Sequence, residues 1–89
     1  MAVNIIDNIV EMYKSFPRAN ESGESALRAY LVPREDSYKT PEQREALCIQ
    51  MQALREVTST ATDVFANPDN IVRFLKATEG FPPTYERAA

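Results

Sequence analysis

A chain of 89 residues, 44% apolar and 26% charged, suits one small globular domain rather than a disordered segment. Its 10 basic and 13 acidic side chains give a net charge of -3, the wrong balance for a protein built mainly to neutralise phosphates or anionic lipid. A lone cysteine and no histidine exclude an internal disulfide and a cysteine-rich zinc site; they leave little metal or general-base chemistry, and point to a reducing, cytoplasmic setting with no cofactor.

The opening stretch MAVNIIDNIVEMYKSF lacks a basic n-region and carries Asp7 and Glu11 within its apolar pattern. It reads as neither signal peptide nor membrane span. With a rotation of about 100° per residue, Ile5, Ile9, Met12 and Phe16 form one stripe, widened by Ile6, Val10 and Tyr13. This predicts a first helix near residues 4–16, capped by Asn4 and stopped by Pro17. A second helix follows near 23–32, with Asn20 or Ser22 as its cap and Leu27, Tyr30 and Leu31 as its apolar ridge. Barely three turns long, it must be held by packing. Pro33 to Thr40, PREDSYKT, is polar enough for an exposed linker, with Tyr38 as an aromatic on its surface.

Thr40, Pro41 and Gln43 supply a cap, a proline at the first helical position and a capping-box partner. They open a long central helix over 41–66, where Leu47, Met51, Leu54, Thr58, Ala61 and Phe65 form one stripe and Ala46, Ile49, Ala53, Val57 and Val64 a second. Together the stripes span about 200°, whereas an ordinary surface helix buries little more than about 100°. Either the helix is a post enclosed by the others, or part of the second stripe meets another chain. The β-branched and hydroxyl residues of Val57 to Asp63 weaken this helix, and Thr60 with Asp63 offers an alternative cap there. The apolar phase runs unbroken to Phe65 and favours continuity. Asn67 and Pro68 start a last helix over 68–79, with Ile71, Phe74, Leu75 and Thr78 on one face and Asp69 four residues before Arg73. Gly80 with Phe81 makes a Schellman-type stop, and residues 82–89 form a flexible tail carrying Tyr85.

The expected architecture is an all-α single domain, a small bundle of about four helices around a long central one. Chemistry is scarce in it. Cys48 has no base to activate it, Glu42, Glu45, Glu56 and Asp63 read as a solvated face, and two glycines make no phosphate loop. The chain therefore reads as a non-catalytic interaction protein of adaptor, chaperone or inhibitor type. It contacts a protein partner or a second copy through Ile49, Ala53 and Val57, with Tyr38 and Tyr85 as exposed aromatic anchors. An alternative, helix-turn-helix-like DNA binding, would use Asn70, Arg73 and Lys76 on the last helix; the acidic balance and the lack of a basic stripe stand against it.

Two short landmarks, Phe16-Pro17-Arg18 and Phe81-Pro82-Pro83-Thr84, give the chain a partial resemblance to phage-type replicative-helicase loaders and inhibitors. In those small helical proteins a first helix ends in an aromatic-proline pair, and a similar late element precedes a flexible tail. The resemblance implies an all-helical fold that docks on a replicative helicase. It assigns no functional residue here.

Overall fold

A computed structural model describes residues 4–79. Five α-helices follow one another: α1 (Ile5–Tyr13), α2 (Glu21–Leu31), α3 (Pro41–Thr60), α4 (Thr62–Phe65) and α5 (Pro68–Thr78), with a 3-10 segment (Val32–Tyr38) between α2 and α3. The described residues form an all-α bundle whose core contains Ile9, Val10, Tyr13, Leu27, Leu31, Leu47, Met51, Leu54, Ile71 and Leu75.

Helix starts follow the local chemistry of their caps. Asn4 Oδ1 accepts from the Asp7 amide at 3.0 Å, and Asn20 Oδ1 from the Gly23 amide at 2.7 Å. Asn67 Oδ1 accepts from the Asp69 amide at 2.9 Å. At Thr40 both halves of the capping box form: its hydroxyl accepts from the Gln43 amide, and Gln43 Oε1 accepts from the Thr40 amide. Each cap satisfies an amide that the first turn leaves without a helical partner.

Helix ends depart from the sequence reading. α1 stops at Tyr13 rather than Phe16, because the chain tightens into i→i+3 bonds, Ser15 N to Met12 O and Phe16 N to Tyr13 O, as it approaches Pro17. Its buried face is Ile6, Ile9, Val10 and Tyr13, so the flank read as a widening is the centre. Phe16 is buried, stacked edge-on against Tyr13 with ring centroids 5.5 Å apart.

Just beyond, Arg18 has φ = 63°, a left-handed conformation that costs a residue with a Cβ about 1 kcal/mol. Its carbonyl accepts from Asn20 Nδ2, while its side chain makes no hydrogen bond or ion pair among the described residues. Arg18→Gly should therefore raise stability by about 0.5 kcal/mol, the relief of strain exceeding the entropy glycine adds to the unfolded chain. Thermal and urea denaturation read this; an unchanged or lower midpoint would refute it.

The polar stretch before α3 is exposed as expected at Pro33, Glu35, Asp36, Ser37, Lys39 and Thr40, but it is neither irregular nor exposed throughout. It winds as a 3-10 segment kinked at Arg34, and it drives Tyr38 into the core at 8% exposure. The Tyr38 carbonyl accepts from Arg44 Nε at 3.0 Å, tying the segment to the first turns of α3. Arg34 fastens it elsewhere, lying 4.8 Å over the Tyr30 ring and pairing with Glu79 at the end of α5.

The long helix is also not continuous to Ala66. α3 ends at Thr60, about 30 Å after its start, and Ala61 leaves the helical region at φ -126°, ψ 50°. Three consecutive hydroxyls explain the failure. Thr58 Oγ1 and Ser59 Oγ both donate to the Arg55 carbonyl, and Thr60 Oγ1 donates to the Val57 carbonyl. Side chains thus compete for the acceptors that hold the last turn. No side chain caps α4, so Thr60 and Asp63 do not act as the sequence allowed. The corner instead lets Phe65 meet Phe74 edge-on, 5.9 Å between centroids.

Candidate interaction face

α3 buries Leu47, Gln50, Met51, Leu54 and Thr58 against α1, the 3-10 segment and α5. These residues are the first stripe as far as Thr58 plus one polar residue that periodicity ignored; Ala61 and Phe65, the rest of that stripe, lie beyond α3 and are part-buried. Gln50 is 8% exposed, and its Nε2 donates to the Leu75 carbonyl at 2.8 Å and to Thr78 Oγ1 at 2.9 Å. It thereby closes the C-terminal turn of α5, whose last carbonyls have no partner within the helix.

The second stripe is not sheltered in the same way. Ala46, Ile49 and Val57 are only part-buried and Ala53 is exposed. Val64 is 52% exposed on α4, beyond the break at Ala61. The strip from Ala46 to Val57 is thus an incompletely sheltered apolar ridge about 16 Å long on the outer face of α3. Exposed Glu42, Glu45 and Glu56 stand beside it.

Of the two aromatics expected as anchors, Tyr38 is buried and unavailable, and Tyr85 lies outside the described residues, as do Gly80 and Phe81. The nucleic-acid candidates separate. Asn70 Nδ2 donates to the Val64 carbonyl at 2.8 Å, so its amide group is engaged in closing the α4–α5 corner and does not project as a free base reader. Arg73 and Lys76 are exposed. The expected Asp69–Arg73 pair is absent among the described residues, where the ion pairs are Lys14–Glu11, Arg28–Asp7, Arg34–Glu79 and Lys39–Asp36.

Cys48 is part-buried on α3, and burial, seconded by the Glu45 carboxylate, pushes its thiol above the usual range. That keeps it protonated and a poor nucleophile at neutral pH. A half-open cleft of about 360 Å³ lies between the start of α1 and the 3-10 segment, where Glu35, Lys39 and Arg44 share its walls with Asn4 and Asn8. Glu35 is the one carboxylate among the described residues that line it.

Gln50 and Gly23 are the structural residues that sequence reasoning passed over. The signal for Gln50 was present: a lone amide at the inner edge of an otherwise apolar arc. Comparison with known protein families, curated proteins and solved structures finds no match to this chain.

Proposed function

We propose that this chain works by contact rather than catalysis, docking onto a protein partner through the outer face of α3. The observation that carries the reading is the half-sheltered ridge of Ala46, Ile49, Ala53 and Val57 on a helix whose opposite face is buried. Apolar side chains that the bundle does not shelter gain from burial against another surface, at about 25 cal/mol for each Å² removed from water.

The test is site-directed photo-crosslinking in the native cell, with the reactive group placed at exposed Gln52, beside the ridge, and as a control at exposed Ser25 on α2. Gln52 should give a discrete crosslinked protein that Ser25 does not give. Ala53→Glu should reduce its yield at least about tenfold by setting a charge in the centre of the contact. Because Ala53 is exposed, that substitution should leave stability within about 0.5 kcal/mol of the parent. Equal crosslinking from both positions, or a yield unaffected by Ala53→Glu, would sink the reading.

A further inference from the structure

Charge decides what kind of surface this ridge fits. Measured around α3 from Ile49, Glu42, Glu45 and Glu56 fall within about 40°, whereas the only cations of the helix, Arg44 and Arg55, fall about 120–140° away. Arg44 is moreover engaged with the Tyr38 carbonyl. The ridge is therefore edged by exposed carboxylates, and neither arginine of the helix forms an ion pair with them among the described residues.

A second copy fits it badly. In a parallel pairing Glu42 and Glu56 would face their own copies, and like charges across such a contact repel. In an antiparallel pairing that sets Ile49 against Ala53, the register places Glu45 over Val57 and Glu56 over Ala46. Those carboxylates would then lose water against apolar side chains, with no cation directly opposite them.

Resting on the docking reading above, we infer that the occupant is an amphipathic helix of a different protein, whose apolar ridge is edged by lysine or arginine. Such a helix meets Ile49, Ala53 and Val57 with its apolar residues, and brings cations to Glu42, Glu45 and Glu56. The apolar ridge supplies affinity, and the acidic edge supplies selection and orientation.

Three amidated peptides of about 18 residues, long enough to form a helix on contact, test this. One has a leucine ridge edged by lysine, the second has the same ridge edged by glutamate, and the third has the composition of the first with its ridge scrambled. Binding is read by fluorescence anisotropy, location by amide chemical shifts, and mass by light scattering. The lysine-edged ridge should bind at least about tenfold tighter than either other peptide, move amides between residues 46 and 57, and weaken as salt screens the exposed charges. Glu45→Lys with Glu56→Lys, both at exposed positions, should turn the preference toward the glutamate-edged peptide without changing the fold. Equal binding of the scrambled peptide, a preference untouched by the double charge reversal, or no binding to α3 would overturn the inference. A homodimer closed through this ridge would overturn the partner chemistry and leave docking through α3 standing. Failure of the Gln52 crosslink would remove both.

Discussion

Gly23→Ala should destabilise the bundle by about 2 kcal/mol, although alanine is the better helix former by about 1 kcal/mol. Gly23 sits buried in the first turn of α2, and a methyl group there would overlap the Tyr13 hydroxyl, come 2.7 Å from Cζ of the same ring and 3.3 Å from Ile71 Cδ1. Tyr13 cannot easily yield. It is 3% exposed, its ring packs on Phe16, and its hydroxyl accepts from the Asn20 amide at 3.3 Å. The substitution therefore strains the α1–α2 contact and the α2 cap together. Urea denaturation measures the loss, and a Tyr13→Phe background supplies the control. Removing the hydroxyl takes away the worst overlap, so the same alanine should then cost at least about 1 kcal/mol less. A Gly23→Ala protein as stable as the parent would show that α1 and α2 are not in contact at this point.

That contact also marks where the sequence stops being informative. Asn4, Asn20, Thr40 with Gln43, and Asn67 were legible because each bonds an amide no more than three residues away. Composition and spacing capture an interaction of that range. Gly23 read as an unremarkable glycine because its partner, Tyr13, is on another helix. Tyr38 reads as a surface aromatic because PREDSYKT is polar, and polarity does not reveal that one ring turns inward while its neighbours remain wet. At Val57 to Thr60 two signals conflict. The apolar phase favoured a continuous helix, but phase says nothing of three hydroxyls competing for carbonyls one turn back. For the candidate face, angular width shows two stripes but leaves open whether the second is enclosed; the part-buried Ile49 and Val57 and the exposed Ala53 are visible only in the packing. Acidic edges were legible too, but as a solvated face and not as a selector of partners.

Gln50→Glu should cost about 3 kcal/mol near neutral pH, although it changes little of the side chain's shape. The amide nitrogen it replaces donates to the Leu75 carbonyl and to the Thr78 hydroxyl, 25 and 28 residues away. An ionised carboxylate can donate to neither. It would stand, nearly buried, against the carbonyl end of α5, where the helix dipole also opposes negative charge. The neutral acid can donate again, so folding favours the protonated form and the introduced carboxyl has a pKa raised above its unfolded value. The destabilisation is therefore full well above the folded pKa and shrinks as pH falls through it toward the unfolded value. Gln50→Leu supplies the contrast: it loses both bonds but brings no charge, so it should cost about 1–2 kcal/mol with no added pH dependence. Hydrogen exchange gives the local readout. Both substitutions should free the amides around Leu75 to Thr78 before those of α1, because the bond they remove holds the end of α5 to α3. Equal losses for the two variants, with parallel pH profiles, would mean that Gln50 fills space and does not fasten α5.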